Sequence, residues 1–129
     1  MKLKILNAVN TTKTALLEGI VEGGGCCLYR IANKIKGNTP GEEILKKALK
    51  QPLKDIIENA GEDYAVIARK IQGNKGYNAD TNKVVDMFKD GVIDSAKSTR
   101  CAFMNALSTA SDFVTVGTII TNKDEASKK

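Results

Sequence analysis

The sequence predicts a mainly α-helical fold, a helical bundle ending in one short C-terminal β-strand. Apolar residues recur at three- and four-residue spacings through most of the chain, the signature of helices that bury one face. Glycine-rich turns punctuate those runs. Near the end, Thr118-Ile119-Ile120-Thr121 is β-branched throughout and reads as a strand that needs a partner elsewhere. The length, 129 residues, suits one domain.

Residues 2–22 carry Ile5, Val9, Thr12, Leu16 and Ile20 on one helical face. Lys2 and Lys4 occupy a first turn that favours acids, and no Ser, Thr or Asp precedes them, so the helix reads as one entered partway along, as in a piece of a longer chain. Gly23-Gly24-Gly25 ends it, and Cys27, Leu28, Ile31 and Ile35 mark a second helix reaching Gly37-Asn38. Thr39, Pro40 and Glu42 form a capping box with proline at the first helical position. The third helix carries Ile44, Leu45, Ala48, Leu49, Leu53, Ile56 and Ile57, and Pro52 is expected to kink or divide it. Asn59-Ala60-Gly61 closes it, and a helix over residues 63–71 follows. Residues 73–81 read as a turn-rich loop, and residues 83–89 as a short helix. Asp94 or Ser95 then caps a long helix running to about Val116, with Thr99, Phe103, Leu107, Ala110 and Val114 on one face. The tail, residues 123–129, is polar.

Composition narrows the chemistry. Histidine is absent, which removes Ser-His-Asp and Cys-His catalysis and most zinc sites. Three cysteines, two of them adjacent (Cys26, Cys27 and Cys101), do not make a secreted disulfide framework and read as reduced thiols. No metal site is expected. The net charge of +5 suits an anionic partner, but aromatics make up only 5% and lysines are scattered, so no basic face with stacking platforms is visible and nucleic-acid binding is not expected. No run approaches the roughly 20 apolar residues of a membrane span, and the N-terminus lacks a signal-peptide core.

The triglycine between two helices could bring backbone N–H groups to a phosphate, but no Walker lysine follows it; alone it is a helix end and a turn. Alone, too, Gly76-Tyr77-Asn78-Ala79 is a plain turn and Asp94 a helix cap. Their order and spacing say more. Leu17-Glu18-Gly19-Ile20-Val21-Glu22-Gly23-Gly24-Gly25 resembles the "EEGVVAGGG" stretch of group I chaperonins, the GroEL type of bacteria and organelles. Gly76-Tyr77-Asn78-Ala79-Asp80-Thr81 resembles their "GYNAAT" loop, and residues 90–100, beginning Asp90-Gly91-Val92-Ile93-Asp94, resemble "MGILDPTKVTR". Gln51-Pro52-Leu53 and Asn59-Ala60-Gly61-Glu62 fall in register with "APL" and "NCGEE".

The resemblance covers essentially the whole chain and implies the last quarter of such a subunit. Residues 1–22 would be the final helix of the intermediate domain, residues 23–122 the C-terminal half of the equatorial, ATP-binding domain, and 123–129 a tail. The implied function is ATP-dependent assistance to protein folding in a ring of subunits. The implied nucleotide-site residues are Gly24 by its backbone, Asn78, Ala79 and Asp80 around the base, and Asp94 at the ribose hydroxyls. The family's catalytic Asp, in "VEDA", corresponds to Asn7; an amide cannot take a proton, though it can orient water. Asp80 replaces an alanine and Ser95 a proline. The phosphate loop, the magnesium-ligating Asp and the substrate-binding apical domain belong to earlier parts of the family's chain, so this chain alone is expected to be inactive as an ATPase. Implied partners are other chaperonin subunits, with co-chaperonin and unfolded clients reached through domains not present here. Apolar stripes lacking their usual cover imply self-association. The implied location is an organelle or the bacterial cytoplasm, in soluble form. Two rival readings are a free-standing basic helical module for a protein or RNA, and a truncated regulatory chaperonin paralogue.

Overall fold

The computed structural model describes residues 2–118; the expected strand at 118–121 lies outside the described residues apart from Thr118, and so does the polar tail. The chain divides into two compact units, Met1–Ser98 and Thr99–Lys129.

In the first unit, helix α1 spans Lys2–Glu18. The expected helix therefore ends four residues early. Gly19 takes the left-handed φ of +83°, its N–H closing the last turn on the Ala15 carbonyl at 2.8 Å. The β-branched Ile20-Val21 pair then enters strand β1, Ile20–Glu22. Helix α2 follows at Cys26–Lys34. Helix α3 runs unbroken from Pro40 to Asn59, so Pro52 does not divide it. Its cap is a rearranged capping box: the Thr39 hydroxyl accepts from the Glu42 N–H at 3.2 Å, while the Glu42 carboxylate accepts from Asn38 N–H at 2.6 Å. Helix α4, Tyr64–Lys70, is capped by the Asp63 carboxylate.

Residues 75–86 correct the sequence reading. In place of a loop and a short helix they form an antiparallel hairpin, β2 (Lys75–Asn78) with β3 (Lys83–Asp86), in which Tyr77 pairs with Val84 and Gly76 with Val85. Two adjacent valines pack better on a pleated sheet than in one helical turn. Asn82, at φ +54°, supplies the left-handed residue that the connection requires. Strand β4, Ile93–Ser95, pairs antiparallel with β1, placing Asp94 opposite Val21. The chain thus has two small two-stranded sheets that the helical pattern concealed.

The core gathers Cys26, Leu53, Ile57, Ile67, Ile71, Tyr77 and Met87. On α3 the buried positions are Leu49, Leu53 and Ile57, a four-residue repeat, whereas Ile44 is 69% exposed. Burial of each large apolar side chain contributes about 1.5–3 kcal/mol. Helix α5, Ala96–Thr115, begins at Ser95, whose hydroxyl accepts from the Ser98 N–H at 3.5 Å, and no residue along it is buried.

Candidate functional site

The triglycine turn is held from three directions. Gly23 N–H donates to the Val92 carbonyl at 3.0 Å, just before β4. A side chain on Gly24 would lie 3.4 Å from the Tyr77 carbonyl of β2 and 3.3 Å from the Met87 methyl. At Gly25 a β-carbon would fall 2.8 Å from the Leu53 backbone nitrogen on α3. Gly24 and Gly25 both adopt positive φ, +61° and +75°, so the turn needs glycine on conformational grounds as well as for space.

This turn brings most of the expected site residues together. Asn78 follows Tyr77, and Asp94 lies two residues beyond Val92, so Gly24, the 78–80 loop and Asp94 converge from β2, β4 and the α2 approach. Asn78 is 9% exposed, and both ends of its amide are engaged. Its Nδ2 donates to the Asp90 carboxylate, and its Oδ1 accepts from the Asp80 N–H at 2.9 Å. Asn78 therefore shapes the loop from below, while Ala79 and Asp80 are exposed at its tip. Asn7 is not brought into this group: it is exposed on α1, about 16 Å of helix before Glu18.

Asp94 retains solvent access, yet partial burial holds its carboxyl above the usual Asp value. Among the described residues, no cation offsets that desolvation. Beside it, at the start of α2, burial and then the Glu22 carboxylate push the Cys27 thiol up, with Asp94 adding a smaller push. Burial likewise lifts Cys26, so both thiols stay protonated near neutrality and neither is an activated nucleophile. Glu22 is itself buried and ion-paired to Arg30, whose Nη2 also donates to the Lys75 carbonyl at 3.0 Å, tying β1, α2 and β2 together. Cys26, Cys27 and Cys101 are free. Among the described residues, no group of three or more His, Cys, Asp or Glu side chains is placed to hold a metal ion.

Asp90 was not singled out by sequence reasoning. It lies twelve residues from Asn78, and its hydrogen bond to that amide depends on the hairpin that the helical reading of 83–89 concealed.

These elements have known counterparts. Residues 1–124 match the sequence profile of the TCP-1/cpn60 chaperonin family, and the chain belongs to that family. Within it, the chain is of the group I, GroEL type: it is 41% identical over 131 aligned positions to the chloroplastic chaperonin GroEL of Gracilaria tenuistipitata var. liui, an alignment taking in 92% of this chain and 25% of that relative. Among solved structures, a group III chaperonin in the open state superposes with a TM-score of 0.71 at 26% identity, covering 83% of this chain and 25% of that one. The open-state monomer of a group II chaperonin from Methanococcoides burtonii shares the fold, with a TM-score of 0.65 at 23% identity over 75% of this chain and 28% of that one. The chain spans about a quarter of the length of these relatives.

Proposed function

We propose that this chain forms one wall of the adenine-nucleotide site in a chaperonin equatorial domain, within a subunit whose ATP-driven ring cycle assists the folding of other proteins. In this reading residues 23–122 belong to that domain, residues 1–22 to the intermediate domain, and 123–129 to a tail. The compartment is an organelle or the bacterial cytoplasm, as the family relationship to a chloroplastic protein suggests.

The observation that carries this reading is the convergence of Gly24, the Asn78-Ala79-Asp80 loop and the uncompensated Asp94 carboxylate on one glycine turn. These residues fit an adenosine. A carboxylate with no cation against it can accept hydrogen bonds from both ribose hydroxyls, each such charged bond contributing about 1.5–3 kcal/mol. The exposed Ala79–Asp80 tip offers a surface for the base, and Gly24 lets backbone approach where a side chain would obstruct. ATP would arrive with magnesium, whose chemistry is to neutralise charge on the phosphates. The residues of this chain bind and orient the nucleoside end. Asn7, an amide where the family resemblance expects a carboxylate, can orient a water molecule but not take its proton, so the chain by itself does not hydrolyse ATP.

The test uses adenosine, which reports the nucleoside end alone. Titration followed by amide chemical shifts should perturb residues 76–81 and 93–95, with a dissociation constant about millimolar or weaker. Asp94→Ala should abolish those shifts; their persistence in that variant would remove the basis of the assignment. In solution the chain should self-associate through apolar surface that the rest of a subunit would cover. Light scattering coupled to gel filtration that finds a monomer at tens of micromolar would contradict this.

A further inference from the structure

The lysines that look scattered in the sequence converge in one place. A hollow of about 350 Å³ between the α2–α3 connection and α3 is lined by Lys36, Gly37, Glu43, Lys46, Lys47 and Lys50. Glu43, Lys46, Lys47 and Lys50 recur at three- and four-residue spacings, so they share one stripe of α3. Gly37, at φ +80°, bends the connection over that stripe, and a β-carbon there would sit 3.7 Å from the Glu43 side chain. Four ammonium groups against one carboxylate leave the lining at a net +3. Among the described residues none of the four lysines has a carboxylate within ion-pair distance, whereas Lys54, one turn beyond Lys50, is paired with Glu58. Lys46 and Lys50, as like charges four apart, repel.

We propose that this hollow binds a compact inorganic polyphosphate anion, a short chain of condensed phosphate. Three features select that chemistry. The lining is lysine without arginine, suited to phosphates as point charges and not to bidentate reading of bases. The lining holds no aromatic side chain, and the nearby Tyr29 ring lies under the Lys50 ammonium, 5.6 Å from its centroid. The surface is concave and short, matching a small anion better than a duplex. A polyanion seated there relieves the Lys46–Lys50 repulsion and supplies the counter-charges that the protein withholds. This site is separate from the Asp94 region and its ligand needs no nucleoside.

Sodium tripolyphosphate, which carries no base or ribose, is the probe, titrated into the full chain at about 50 mM salt so that screening stays weak. Amide shifts should map to residues 36–50. The triple variant Lys46→Gln/Lys47→Gln/Lys50→Gln should weaken binding about tenfold or more, while Lys13→Gln/Lys83→Gln/Lys89→Gln, with the same loss of charge at exposed positions elsewhere, should stay within about twofold. Circular dichroism checks that both variants remain helical. Equal weakening in the two variants, or no binding by the parent chain, overturns the proposal. So does a single-stranded oligonucleotide that shifts residues 36–50 when tripolyphosphate does not. Self-association lost only in the first variant, without anion binding, would instead assign the hollow to acidic side chains of a second copy.

Discussion

The segment from Ile20 to Ser95 closes on itself, whereas helices α1 and α5, which precede and follow it in sequence, leave most of their large apolar residues exposed. In the closed segment, Cys26 of α2, Leu53 of α3, Tyr77 of β2 and Met87, just past β3, are inaccessible or nearly so. On α1, Leu3, Ile5, Leu6, Val9, Leu16 and Leu17 are all exposed, Leu16 at 83%. On α5, Met104, Leu107, Phe113 and Val114 are exposed as well. Both kinds of segment satisfy their backbone with helical hydrogen bonds. Only the first adds packing, which supplies most helical stability in proteins. An amphipathic stripe therefore predicts that a helix forms without saying what covers it.

Glycine substitutions should separate the regions most sharply. Gly25→Ala puts a β-carbon 2.8 Å from the Leu53 nitrogen at a left-handed backbone, so it combines a clash with strain. A loss of about 4 kcal/mol, or no cooperative unfolding at all, is expected in urea titration. Gly19→Ala has a similar φ but open space around the added methyl, and should cost about 1–2 kcal/mol. Equal costs would mean that the triglycine turn is not pinned against α3.

Core truncation is the next contrast. Leu53→Ala removes a fully buried side chain and should cost about 2–5 kcal/mol. Leu107→Ala on α5 removes one that is 43% exposed on a helix with no buried residue, and its effect should stay within about 0.5 kcal/mol. If Leu107→Ala costs as much as Leu53→Ala, α5 has cover in solution, for instance from a second copy.

The same contrast explains what was legible in the sequence. Helix-forming pattern and caps are local, and α2, α3, α4 and α5 appear where periodicity places them. Thr39 and Asp63 cap as their residue types dictate. Strands depend on partners, which the helical pattern does not show: β1 pairs with β4 far along the chain, and β2 with β3 across a short turn. Ile20 continues the four-residue spacing of α1, so the helix reads as longer than it is, although Gly19 marks the break. Val84-Val85 is too short a run for periodicity to separate helix from strand, and Asn82 was the available clue. The candidate site was legible only through resemblance. No composition or spacing argument predicts that Gly24 meets Tyr77, or that Asp90 holds Asn78.

The smallest expected effect is the most specific, and it concerns Asp94. Burial alone raises its carboxyl above the ordinary value, so the folded chain holds that proton more tightly than the unfolded chain. Stability therefore falls as pH rises through the window from about 3.9, the unfolded value, to the elevated folded value, and stays lowered above it. Asp94→Asn lacks this titration. The variant should match the parent near pH 3 and become modestly more stable by pH 7, read as a higher urea midpoint. A difference independent of pH would show that Asp94 is fully solvated. Adenosine shifts measured on the same variant decide what the desolvation is for. An amide can still donate and accept, but it cannot present the negative charge that two ribose hydroxyls favour, so binding should weaken while the fold gains. Stability rising as affinity falls is the mark of a group kept for a ligand and not for the fold. If both rise together, Asp94 acts only as part of β4, and the nucleoside must be held elsewhere.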